Sequence, residues 1–159
     1  MSEQVLLIEH RPPVLILTLN RPQVRNALNS KLLDELELAV DEAQFSQDLR
    51  VLVITGAGDK AFCAGADLKE RLTMSETEVR NFLSAIRRLL SKIEELPLPV
   101  LAAINGVALG GGTEIALACD LRVIVADGTL ALTETRLAII PGAGGTQRLP
   151  RLIGTAQAK

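Results

Sequence analysis

Three apolar runs, each closed by a glycine within a few residues, constrain this chain more than any other feature: Val51 to Thr55 before Gly56, Val100 to Ile104 before Gly106, and Leu121 to Ala126 before Gly128. A short apolar run that ends on glycine reads as a buried strand followed by a turn. Between the first two, the spacing predicts a helix from about Ser75 to Leu96. Its Val79, Phe82, Leu83, Ile86, Leu89, Leu90 and Ile93 fall on one face, and Ser75 stands in capping-box register with Glu78. An earlier helix is predicted from about Ser30 to Ala43 on Leu32, Leu33, Leu36, Ala39, Val40 and Ala43, behind a strand at Val14 to Leu19. Strands alternating with helices argue for an α/β domain with parallel strands, and the uneven intervals suggest coarse ββα repeats. No linker or low-complexity tract interrupts them, so residues 1–159 are expected to form one domain. A composition of 48% apolar and 23% charged residues suits one with a sizeable core.

Composition excludes several functions. With 17 Lys+Arg against 19 Asp+Glu, and three Phe as the only aromatics, the chain lacks the positive field and stacking platforms that most nucleic-acid binders use. Cys63, Cys119 and His10 are the only thiols and imidazole, which supplies a disulfide framework, a zinc site or a Ser-His or Cys-His triad poorly. Acid–base chemistry must come from carboxylates. Met1 to Gln4 leads into only a short apolar run, unlike a secretory or transit signal, so the cytoplasm is the expected compartment. The uncharged stretch Leu96 to Thr113 holds Pro97, Pro99, Asn105 and four glycines, so it reads as buried strand and turn and not as a membrane span.

Gly110, Gly111 and Gly112 open a short apolar helix, Thr113 to Cys119, whose free N–H groups can hold an anion or a developing oxyanion, or can simply permit close packing. Gly106, Gly111 and Thr113 have the outline of a phosphate loop, but Gly112 stands where the loop needs lysine, which argues against ATP. Glu114 lies in the first turn of that helix. Glu134 follows the strand-like Thr129 to Leu132. Singly, one is a carboxylate favouring a helix start and the other a solvated turn residue; as a pair in unlike environments they can divide acid and base work. Further glycine turns lie at Phe62 to Leu68 and at Pro141 to Leu149, where Thr146 is placed to cap a helix, and Thr155 after Gly154 looks like another cap. Because only Ala156 to Lys159 follow Thr155, the chain is expected to be an N-terminal part of a longer one.

Three segments together, AFCAGADLKE at Ala61 to Glu70, AAINGVALGGGTEIALACDLRV at Ala102 to Val123 and ETRLAIIPGAGGTQRLPRLIG at Glu134 to Gly154, resemble the crotonase, or enoyl-CoA hydratase/isomerase, superfamily. NRPQVRNALN at Asn20 to Asn29 resembles its CoA-facing first loop. The resemblance implies a spiral of ββα repeats, an acyl-CoA thioester as substrate, no cofactor beyond the coenzyme A of that substrate, no metal, and a homotrimer or hexamer in the longer family chain, whose C-terminal trimerisation helices this sequence lacks. It further implies that the N–H groups of Ala66 and Gly111 form an oxyanion hole and that Glu114 and Glu134 are the two carboxylates of a hydratase. Arg25, Ala27, Ala64, Asp67, Leu68 and Gly110 would line the CoA or substrate side. The expected activity is addition of water to a 2-enoyl thioester, with double-bond isomerisation as the alternative. LKER at Leu68 to Arg71 and the run Leu137 to Arg151 are similar to the methylglutaconyl-CoA hydratases, some of which bind AU-rich RNA through a lysine-bearing helix. Here that helix offers Lys31 among Asp34, Glu35, Glu37, Asp41 and Glu42, which argues against RNA.

Overall fold

Leu15, Leu17 and Leu19 alternate with half-buried neighbours along β2 (Val14–Leu19), and the strands beside it repeat that alternation in register. The computed structural model describes residues 4–159; Met1 to Glu3, part of the N-terminal stretch read above for targeting signals, lie outside the described residues. Strand β1 (Leu6–Arg11), for which no strand was expected, pairs antiparallel with β2 across a tight turn at Pro12–Pro13. Strands β3 (Val51–Gly56), β5 (Val100–Ile104) and β7 (Leu121–Ile124) then add in parallel to give the order β1-β2-β3-β5-β7. Leu15 lies opposite Leu52 and Leu52 opposite Val100, while Leu17, Ile54 and Ala102 form the next row. These rows are buried under α1 (Ser30–Phe45) and α3 (Glu76–Glu94).

A second parallel sheet of three short strands, β4 (Ala61–Cys63), β6 (Val107–Leu109) and β8 (Thr129–Ala131), runs beside the first. In the pairs β3/β4, β5/β6 and β7/β8 the first strand joins the large sheet and the second joins the small one, which gives the expected ββα spiral its physical form. The glycine behind the first two runs is what allows each change of sheet. A Cβ on Gly56 would strike the carbonyl oxygens of Ala61 and Phe62, and one on Gly106 the carbonyl of Lys60.

Helix α1 buries the six apolar residues predicted for it and is capped by Asn29, whose side chain accepts the Leu32 N–H at 3.0 Å. Helix α3 carries the predicted capping box between Ser75 and Glu78. Of its predicted apolar face, Val79 and Leu83 are only half-buried. The acidic side of α1 packs against the basic side of α3: Glu37 holds Arg88 at 2.6 Å and Lys92 at 2.7 Å, and Lys92 also reaches Asp41. Hydrogen bonding to Arg88, helped by Lys92 and opposed by burial, lowers the Glu37 carboxyl to about 2.

Three local expectations are corrected. The run at Leu121 to Ala126 forms a strand, β7, but it is the sheet edge and is not buried; Leu121 and Val123 are more than half exposed because no element packs over them among the described residues. Thr146 does not cap a helix. Helix α5 (Gly145–Ala158) starts two residues earlier than that cap would place it, behind Gly144, whose φ of +101° favours glycine, and Gly154 interrupts it with a φ of +79° just before the predicted restart at Thr155. The turn predicted from Phe62 is in part β4, with Phe62 and Cys63 fully buried.

Candidate active site

Two loops meet at Ala66. Buried Asn26 ties the first to the β3–β4 turn through the carbonyls of Ala57 and Ala61, which brings the 26–28 backbone alongside residues 64–67. Leu28 donates its N–H to Gly65 O at 2.8 Å and accepts the Asp67 N–H at 2.8 Å. In this parallel bridge the residue between the two bonds points its own N–H to the opposite side of the chain. That residue is Ala66, and its opposite side faces the start of α4 (Gly111–Ala118).

Helix α4 begins at Gly111, one of the first-turn residues whose N–H has no intrahelical acceptor; the first amide to find one is Glu114 N–H, on Gly110 O. A Cβ on Gly111 would lie 3.8 Å from Ala66 N, so the two N–H groups share one corner. The preceding Gly110 has φ +50° and ψ −119°, a conformation open to glycine alone, and a side chain there would meet Glu134 Oε1 at 3.0 Å. Thr113 fixes the helix by donating its hydroxyl to Ala108 O and accepting the Ala131 N–H.

Glu114 is 2% exposed, and its Oε1 accepts the N–H groups of Ala143 and Gly145, each at 2.8 Å. The same loop is held from outside, where Arg87 Nε donates to Gly142 O at 2.6 Å and Arg148, paired with Glu94, donates to Ala143 O. Glu134 opens a 3-10 turn at Glu134–Leu137 and is 9% exposed, not the solvated turn residue of the plainest expectation. Its Oε2 is buried without a hydrogen-bond partner among the described residues. Burial, then its own backbone amide in the opposite sense, then the charge of Glu114 act on this carboxyl, and the net effect lifts it above the ordinary carboxylate range.

Ala64, Ala66, Leu68, Gly110, Gly111, Glu114 and Glu134 line one cavity of about 520 Å³. Three sequence-derived candidates do not. Arg25 is exposed on the first loop, where its carbonyl accepts the Ala64 N–H; Ala27 is buried beneath it; and Asp67 pairs with Arg21 at 2.9 Å while capping the short α2 (Leu68–Arg71). Burial works against the ionised form of Asp67, but Arg21 and the N–H groups of Glu70 and Lys69 outweigh it and hold the carboxyl low. The sequence reading missed Arg71, Leu83, Ile86, Arg87 and the 137–143 segment as cavity walls. The available signal was the excess width of α3's apolar face, since Leu83 turns from the core toward the cavity. Burial pushes both thiols up to about 12, so neither Cys63 nor Cys119 offers a thiolate near neutral pH. No metal-binding cluster occurs among the described residues, and no described helix is long and apolar enough to cross a membrane.

A ββα spiral with a pair of amides facing two buried carboxylates defines a crotonase-type α/β protein. The family model for enoyl-CoA hydratase/isomerase matches residues 9–159, and the chain belongs to that family. It is 52% identical over 159 residues to YngF of Bacillus subtilis (strain 168), itself a provisional enoyl-CoA hydratase/isomerase, covering all of this chain and 61% of that protein. It is 49% identical over 153 residues to the mitochondrial methylglutaconyl-CoA hydratase of Mus musculus, covering 96% of this chain and 49% of that one. The crystal structure of an enoyl-CoA hydratase from Bacillus anthracis superposes with a TM-score of 0.95 at 54% identity, over 98% of this chain and 61% of that one. The chain thus spans about half to three fifths of the length of these relatives.

Proposed function

We propose that this protein hydrates 2-enoyl-CoA thioesters. The observation that carries the proposal is two buried carboxylates, Glu114 and Glu134, facing one cavity beside the N–H groups of Ala66 and Gly111. The thioester oxygen would sit between those N–H groups, whose strength is greatest where enolate charge develops. Two N–H donors hold Oε1 of Glu114 and fix the direction of the side chain, so its second oxygen is the one that takes a proton from the attacking water. Glu134, lifted toward its neutral form by burial, then supplies the proton to the α-carbon as the enolate collapses. Water's oxygen bonds to the β-carbon, one proton passes to Glu114 and one leaves Glu134, so the pair exchanges roles in the reverse direction. The coenzyme A of the substrate is the only cofactor this chemistry needs, and the site residues and a homotrimeric or hexameric assembly in the cytoplasm are parts of the same proposal. The test is to incubate the protein with crotonyl-CoA and with a 3-enoyl-CoA. Hydration of the first supports the proposal; migration of the 3-enoyl double bond without hydration overturns it in favour of an isomerase.

A further inference from the structure

Arg148 stands outside the cavity, in the first turn of α5, and Glu94 is the last residue of α3. Each has the wrong sign for its place, since a helix start disfavours a cation and a helix end an anion. They meet side by side: Arg148 Nη2 donates to Glu94 Oε2 at 2.7 Å, and Nε donates to the same oxygen at 3.2 Å. The remaining contact of this guanidinium is Nη1, which donates to Ala143 O at 2.8 Å. The segment it grips has little stiffness of its own, because Ala143 is set among Gly142, Gly144 and Gly145 and Gly144 has a φ of +101°. Yet both amides that hold Glu114 Oε1, those of Ala143 and Gly145, belong to it. Arg87 holds the peptide before Ala143, through Gly142 O, and Arg148 the peptide after it. Ala143 is buried, so its carbonyl has no ready substitute partner in solvent.

We infer that Arg148, braced by Glu94, is a positioning residue of the reaction: it holds the 143–145 backbone and, through it, the direction of the Glu114 side chain. This rests on the reading of Glu114 as the base of hydration. Without the Arg148 donor the peptides of the glycine-rich segment are free to turn, the amides leave Oε1, and the oxygen that receives the proton of water moves with them. A displacement of about 1 Å at a reacting group can cost roughly 10²-fold in rate. Glu134 and the N–H groups of Ala66 and Gly111 stand on other segments, the 134–137 turn, the 64–67 loop and the start of α4, so they keep their places. The loss therefore falls on the step that uses Glu114.

Two reactions in the same cavity separate this role from general damage. Hydration of crotonyl-CoA needs Glu114. Exchange of the α-protons of butyryl-CoA with deuterated solvent needs only Glu134 to take a proton and return a deuteron, with the enolate held by Ala66 and Gly111. Arg148→Met, which keeps the stem but no donor, should lower kcat for hydration by roughly 10- to 100-fold with KM little changed, and should leave the exchange rate close to that of the unaltered protein. Arg148→Lys, which offers Ala143 O one donor, should recover part of the kcat. Glu94→Gln, at a carboxyl that is 55% exposed, should show a smaller loss of the same kind, and it decides the matter should Arg148→Met not fold. Equal losses in the two reactions, or an unchanged kcat for hydration, overturn the inference. Amide NMR of Ala143 and Gly145 reads the same role without turnover: Arg148→Met should shift both resonances and speed their exchange with solvent, as Glu114→Ala does from the other side. Amides that stay as in the unaltered protein overturn the inference even where hydration is lost. Failure of the unaltered protein to hydrate crotonyl-CoA strikes the hydratase reading alone and leaves the amide comparison to decide.

Discussion

The carboxylates of Glu114 and Glu134 line the same cavity but are held in opposite ways. Glu114 Oε1 accepts two backbone N–H bonds from the 143–145 loop, whereas Glu134 Oε2 is buried and unpartnered among the described residues. One carboxylate is therefore part of the scaffold as well as the site, and the other is a cost to the fold. Their variants should separate accordingly.

Glu114→Gln and Glu134→Gln should each lower hydration by roughly 10²–10⁴, the usual worth of a positioned acid or base, with thioester binding retained. In stability they should part. A carboxyl raised in the folded state binds its proton there more tightly than in the unfolded chain, so its contribution worsens as pH rises through the interval above the ordinary carboxylate range. Glu134→Gln removes that burden and should melt no lower than the unaltered protein at neutral pH. Glu114→Ala leaves two buried N–H groups unpaired and should cost about 2–4 kcal/mol in chemical denaturation. Near-normal kcat in either Gln variant would remove that residue from the mechanism.

Gly111→Val should harm turnover more than folding. Its Cβ would lie 3.3 Å from Leu28 Cδ1 and 3.5 Å from Ile86 Cδ1, contacts that side chains can ease, while its branches crowd the corner shared with Ala66 N. Gly112→Ala is the contrasting case, because its Cβ would strike the Cys63 backbone, which cannot yield; a loss of about 1–3 kcal/mol is expected there. Unfolding midpoint and kcat measured on both variants decide it. Equal proportional losses in Gly111→Val would mean that Gly111 serves packing alone.

The helices and central strands were legible because their signals are local. The 3.6-residue period of α1 named all six of its buried residues, and the Ser75–Glu78 box marked the start of α3. Strands β4, β6 and β8 have only three residues each, too few to show a period, and β7 looks buried because apolar content alone cannot distinguish a sheet edge from a sheet centre. Within the site, Gly110 to Glu114 are contiguous in sequence and could be grouped from it. The link from Glu114 to Ala143 and Gly145 joins residues some thirty positions apart, and the lone oxygen of Glu134 is defined by donors that fail to reach it among the described residues. Neither leaves a mark on spacing.

Acid should loosen the α1–α3 seam. Glu37 is held at about 2, well below its unfolded value, so its contribution is full above the ordinary carboxylate range and disappears as pH falls from about 4.5 toward 2. Glu37→Gln should lose about 1 kcal/mol at neutral pH, a modest figure because Arg88 is half exposed, and should flatten stability against pH across that interval. Urea melts at several pH values read this directly; an unchanged slope would place the acid sensitivity elsewhere.

The outer edge of β7 should drive self-association of the 159-residue chain. Leu121, Val123 and Ile124 are 61%, 55% and 43% exposed, and β7 closes the large sheet with its far side unpaired among the described residues. An apolar edge strand offers a second copy both main-chain hydrogen bonds and a surface to bury, and nothing in its sequence except Arg122 discourages the approach. Arg122 itself is turned back, donating to the carbonyls of Ala116 and Cys119. Size-exclusion chromatography with light scattering should therefore show mass rising with concentration, and Val123→Lys, which places a charge on the exposed edge, should hold the chain closer to a monomer without lowering its melting temperature by more than a few degrees. Mass that stays monomeric at all concentrations in the unaltered chain, or that rises equally in Val123→Lys, would show that this edge is not the surface of association.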